Sequence, residues 1–171
     1  MHGAALSRRT SAIAFTATIA VWAGPAVAAE EHSHPPPEKL GSVTFETSCS
    51  PEVKAAFNRA VALLHSFTYD AAEQAFREVA RTDPKCAMAH WGIALSYYHP
   101  LWEPPDAAHL RLGMQEVDAA SRPPAATQRE QEFIAAAGAY YRDSDRHPPA
   151  ERARAYEQAM AGVAARYPGR C

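Results

Sequence analysis

Glycine is scarce in this chain, eight residues spread thinly through 171. With no glycine-rich run, there is no loop of the kind that cradles phosphate with backbone N–H groups. The sequence also lacks a CxxC pair, an HExxH motif, a nucleophile elbow and a pair of carboxylates placed for glycoside hydrolysis. Asp143 and Asp145 are near neighbours, but they fall in a polar stretch where solvated charge is ordinary. The chain is therefore not expected to be an enzyme, and no cofactor is expected. An excess of charge of one sign is missing as well: 17 Lys and Arg face 19 Asp and Glu, a net charge of −2. Without a basic stripe, neither nucleic acid nor an anionic membrane surface is an expected partner.

Long apolar runs are limited to the first residues. Arg8 and Arg9 precede an apolar run from Ala12 to Trp22, and Ala26-Val27-Ala28 supplies small residues in a cleavage-site pattern. Residues 1–28 thus read as a secretory signal peptide. Gly24 and Pro25 interrupt the run before it reaches the ~20 residues a membrane span requires. Ser11 stands where a twin-arginine signal carries a bulky apolar residue, so general secretion is the expectation. Cleavage would remove Arg8 and Arg9, so the 17 basic residues fall to 15 against an unchanged 19 acidic ones, net −4. The 143 of 171 residues that remain suffice for one domain with a core, in the periplasm or secreted, with no membrane span. Residues 29–48, with His32, His34 and Pro35 to Pro37, are expected to be a disordered linker.

What the chain does contain is a repeat. Phe57 and Trp91, Ala60 and Ala94, Leu63 and Tyr97, Leu64 and Tyr98, and His65 and His99 match at a spacing of 34 residues. Self-similarity at that period on helical spacing indicates stacked helix–turn–helix units that share a core. Six helices are expected, at about 51–66, 70–81, 85–98, 106–120, 125–142 and 149–167. Ser50 and Asp70 are candidate caps, and Pro84, Pro100, Pro123-Pro124 and Pro148-Pro149 punctuate the runs. In the third pair, Ile134, Ala137, Tyr140 and Tyr141 reproduce the spacing of Phe57, Ala60, Leu63 and Leu64. Small Ala60, Ala94 and Ala137 suit close helix crossings.

The run Val53 to Pro84, with Ala60, Leu63, Tyr69-Asp70, Ala72, Phe76 and Asp83-Pro84, resembles a tetratricopeptide repeat. Trp91, Ile93, Ala94 and Tyr97 continue the likeness, which weakens at HPLWEPPD and in the third pair. LLHSFTYDAAEQAF and DPKCAMAHWGIALSYYHPLW are similar to a family of exported bacterial tetratricopeptide-repeat proteins of unassigned activity, longer than this chain. The resemblance implies an all-α, right-handed solenoid of about three helix pairs over residues 49–168, with 169–171 as a tail. It also implies a concave groove lined by the first helix of each pair. Carried over by position, the groove takes Lys54, Phe57, Val61, Leu64 and His65, then Met88, Trp91, Leu95, Tyr98 and His99, then Gln131, Ile134, Tyr141 and Arg142. Phe57, Trp91 and Ile134 serve equally well as core. The last helix, with Tyr156, Met160 and Val163, carries a face that expects a neighbour, either further repeats of a longer array or a second copy in self-association.

Of three cysteines, Cys49 precedes the first helix of one repeat and Cys86 opens the matching helix of the next. Those helices should lie side by side, bringing the α-carbons within the ~7 Å a disulfide needs, with Cys171 left over. The function expected is an exported scaffold binding a peptide or protein partner in its groove. The alternative is periplasmic handling of copper or zinc by Cys86, Met88, His90, His65 or His99, where Cys86 and His90 share a helical face.

Overall fold

The computed structural model describes residues 40–99, 103–122 and 127–169. The expected signal peptide, the linker as far as residue 39, and Cys171 lie outside the described residues. The described part is all-α. Its helices are α1 (Lys54–His65), α2 (Tyr69–Thr82), α3 (Ala87–Ser96), α4 (Ala107–Ala120), α5 (Gln128–Tyr141) and α6 (Pro149–Arg166). A short 3-10 turn, Pro51–Val53, leads into α1. The helices pack sequentially in pairs, each on the next, and α3 also touches α1 and α5. This is the arrangement of a helical repeat.

The six runs match the sequence expectation to within a few residues, but two caps differ. The side chain of Ser50 caps nothing, and its N–H instead donates to Asp83 Oδ2 at 2.7 Å. Asp70 falls inside α2, whose capping position is Thr68. Two caps that periodicity did not single out are present. Asp106 accepts from His109 N at the start of α4, and Thr127 with Glu130 forms a reciprocal capping box on α5. Between α1 and α2 the chain turns on Phe67, in the left-handed region at φ 59°.

Packing follows from how each helix distributes its apolar residues. Helix α2 buries Tyr69, Ala72, Phe76 and Val79, a single stripe, and leaves charge on the other face. Helix α3 buries every residue but His90. An apolar surface on all sides has to be enclosed, and α1, α2, α4 and α5 do so. Close approach depends on missing side chains: a Cβ at Gly92 would run into the Phe76 ring, and one at Gly113 into the Tyr141 ring. Ala60, Ala94 and Ala137 are fully buried at the crossings. Tyr141 lies against α4 at Gly113 and donates its hydroxyl to the Ala94 carbonyl of α3 at 2.5 Å, so one side chain joins three helices.

The face of α6 expected to stand open is turned inward. Val163 is buried, and Tyr156 and Met160 are half-buried against the core. Among the described residues, the large apolar side chains left in solvent are Phe67 and Leu112.

Cys49 and Cys86 form a disulfide, with α-carbons 4.6 Å apart across 37 residues of chain. Constraining a loop of that length in the unfolded chain stabilises by about 2–4 kcal/mol. Reduction with dithiothreitol should lower the urea-unfolding free energy by about that amount, and Cys49→Ser should reproduce the effect. Non-reducing peptide mapping that returns any other main pairing would overturn it.

Candidate functional site

Helices α1, α3 and α5 lie side by side and present one shared face, the place where a groove is expected. That face is not empty. Residues 40–50 run across it in extended form, and burial alternates along them: Val43, Phe45 and Thr47 are half-buried while Thr44, Glu46 and Ser48 are exposed. A period of two is what an extended chain shows when one side rests on a surface.

Phe45 is the centre of this contact. Its ring lies 5.9 Å from Phe57 of α1, 5.6 Å from Trp91 of α3 and 5.3 Å from Phe133 of α5, centroid to centroid. Arg129 stacks over it at 4.8 Å, a cation–π contact. Polar groups fix the register on both sides. Phe45 N donates to Asn58 Oδ1 at 3.1 Å, and Arg129 Nη1 donates to the Glu46 carbonyl at 2.9 Å. Ser48 donates from both its N–H and its hydroxyl to Glu130, each at 2.7 Å. Glu130 is buried, and its carboxylate also accepts from Thr127 N at 2.7 Å. Three donors thus hold a carboxylate that solvent does not reach.

The expectation of a disordered linker through Ser48 is therefore corrected for residues 40–48. Proline and charge dominate the composition of 29–48 as a whole, and the apolar alternation at Val43 and Phe45 is too short to register against it. That alternation was the available signal. Phe133, Asn58 and Glu130 had none, because their partners lie far away in sequence.

This segment also changes which groove residues are reachable. Phe57, Val61, Met88, Trp91, Leu95, Ile134 and Tyr141 are buried, so the structure places them in the core and corrects their reading as an open lining. Leu64, Tyr98 and His99 are half-buried, and Lys54, His65, Gln131 and Arg142 are exposed. Tyr98 packs on Tyr140 at 4.1 Å and on Tyr156 at 5.5 Å, while His99 stacks on Tyr69 at 4.4 Å. This aromatic cluster ties the C-terminal end of α3 to α2, α5 and α6. Gln131, Ile134 and Arg142 meet elsewhere, at a cleft of about 210 Å³ shared with Val117 and Ala120 of α4.

Of the residues proposed for metal handling, Cys86, His90 and His99 have other partners, Met88 is buried and His65 is exposed. Cys86 is bonded to Cys49, and Met88 is fully buried. His90 Nδ1 lies 2.7 Å from Glu116 Oε2, and His99 Nε2 lies 3.0 Å from the Ser96 carbonyl. Asp83 lies beside the cysteines, all three ligand atoms within 4.8 Å, but the disulfide occupies both sulfurs. His65 stands exposed at the end of α1. A separate polar network joins α2, α3 and α4: Arg77 pairs with Glu73 at 2.8 Å and donates to Tyr97 Oη at 2.6 Å, and Tyr97 donates to Glu73 at 2.8 Å. Arg77 also reaches Glu116 at 3.4 Å.

Comparison with protein-family models, with curated proteins and with solved structures finds no match to this chain.

Phe45→Ala should destabilise by about 3 kcal/mol, the lower range for loss of a large aromatic, and uncover Trp91. Urea titration and a red shift of tryptophan emission would measure the two effects. Tyrosine titration gives a second expectation. Burial, with the Glu73 carboxylate for Tyr97 and the Tyr98 phenol for Tyr156, raises both phenols from an ordinary 10.0 to about 12. Folded protein therefore keeps protons that unfolded protein has lost, so this stability is complete below pH 10.0 and falls as pH rises towards about 12. Helical circular dichroism and tyrosinate absorbance, followed together, should show the fold lost within that window. Tyr156→Phe should make the loss shallower.

Proposed function

We propose that this chain is an exported scaffold of the tetratricopeptide-repeat type that holds a peptide or protein partner on the shared face of α1, α3 and α5. The observation that carries the reading is the extended segment lying across that face. A surface that grips an extended chain through one aromatic side chain flanked by hydrogen bonds to backbone groups has the chemistry of peptide recognition. The partner contacts the end of the face at the C-termini of α1 and α3, where Leu64, His65, Tyr98 and His99 offer aromatic and imidazole tips around an apolar floor. Tyrosine is the kind of residue that anchors such contacts.

Several features support the rest of the reading. The sequence period, the helix pairs and the buried small residues at the crossings agree with a tetratricopeptide-type array. Export fits the Cys49–Cys86 disulfide, since such bonds persist in oxidising compartments. No helix among the described residues is long and apolar enough to cross a membrane.

Immobilised mature chain should recover specific proteins from a periplasmic extract, and a His65→Ala/Tyr98→Ala variant with an unchanged melting curve should lose them. Equal recovery by both forms would remove this face from the interaction.

A further inference from the structure

Arg152, in the first turns of α6, is only 4% exposed. Its guanidinium carbon sits 4.8 Å from the centroid of the Tyr140 ring. That stacking covers one face of the cation but leaves the N–H donors along its edge unanswered. Nε and Nη1 are closed off from solvent and have no hydrogen-bond partner. Among the described residues no carboxylate forms an ion pair with it, and Glu151, next to it in sequence, pairs instead with His147 at 3.1 Å. A guanidinium cannot shed its proton, so its charge remains, buried and unpaired. Chains ordinarily avoid this arrangement, because a buried cation is costly without a counterion.

The same side chain lines a cavity of about 360 Å³ between the end of α5 and the start of α6, a size suited to a small ligand. Ala139 and Ala155 contribute methyl groups to its wall, Arg142 and His147 add further N–H donors, and Asp143 and Glu151 are its acids. We propose that this cavity binds a small organic monocarboxylate, its two oxygens held by the Arg152 guanidinium and its short aliphatic body against the alanine methyls. Binding on this reading requires the Arg152 side chain to turn from its closed-off position and present its donor edge to the cavity it lines. The planar fork of the guanidinium matches a carboxylate in bidentate geometry. Asp143 and Glu151 disfavour a dianion, so a phosphate is the poorer fit. This site is separate from the α1–α3–α5 face and does not depend on what that face binds.

The test is calorimetric titration of the full mature chain with sodium butyrate at constant ionic strength, with acetate and inorganic phosphate as comparison arms. Butyrate should bind saturably at one site, at least tenfold more tightly than phosphate, with acetate weaker for want of an aliphatic body. Arg152→Met keeps the bulk against Tyr140 and removes the charge. It should melt at the same temperature as the parent or higher, and show no butyrate binding. Arg152→Lys, which keeps the charge but loses the fork, should weaken butyrate at least tenfold and covers the case in which the Met variant does not fold. The proposal is overturned if the parent shows no saturable heat, if phosphate binds as tightly as butyrate, or if a folded Arg152 variant binds butyrate unchanged.

Discussion

A helix that is apolar on every side has to be enclosed on every side, and the rest of this structure is arranged around that requirement in α3. Nine of its ten residues are buried. Two neighbours come from the sequential packing of helices, α2 before it and α4 after it, and two from the adjacent pairs, α1 and α5. Four helices still leave the strip that carries Trp91, and the ring of Phe45 rests there. The extended segment is thus the fifth wall of α3. Removing apolar surface from water is the dominant favourable term in folding, and here it recruits a stretch whose composition alone gives little reason to expect order.

How far the sequence is legible differs from element to element. The helices could be located because most carry a periodic stripe, as α2 shows with Tyr69, Ala72, Phe76 and Val79, and because prolines or capping residues punctuate their ends. The disulfide was legible because its cysteines lie at the amino-terminal ends of the matching helices of two repeats, and those helices were expected side by side. Residues 40–48 were not legible. Their contacts run to Asn58, Trp91, Glu130 and Phe133, and no local pattern encodes a partner so far along the chain. The groove suffered from the same gap. Its expected positions fall on or just after α1, α3 and α5, but whether Phe57, Trp91 or Ile134 is reachable depends on what lies over them. Arg152 illustrates a different limit: a charged residue in the first turns of a helix reads as solvated until the neighbouring rings are in place.

The polar contacts divide into two kinds by position. The Glu73–Arg77–Tyr97–Glu116–His90 network lies partly exposed across α2, α3 and α4, where ion pairs contribute little to stability and mainly fix orientation. Glu130 is buried and satisfied by three donors from two parts of the chain. A carboxylate in that state depends on all its partners, since any donor lost leaves an unsatisfied charge. It therefore ties the start of α5 to the seating of the extended segment, so that neither forms well without the other.

The Ser48–Glu130 contact also bears on how the array comes apart. A stack of helix pairs touching only their neighbours is quasi-one-dimensional: its terminal units fray independently, and its folding is governed by short-range contacts. Hydrogen bonds between residues 82 positions apart close this array into a ring in which the amino-terminal segment is anchored on the third pair. The third pair cannot peel away without releasing the segment, and with it the cover over Trp91. Hydrogen exchange in α1, α3 and α5 should then report a single cooperative opening in place of a gradient from the ends. The cost is kinetic, since a loop of that length must close before its contacts form.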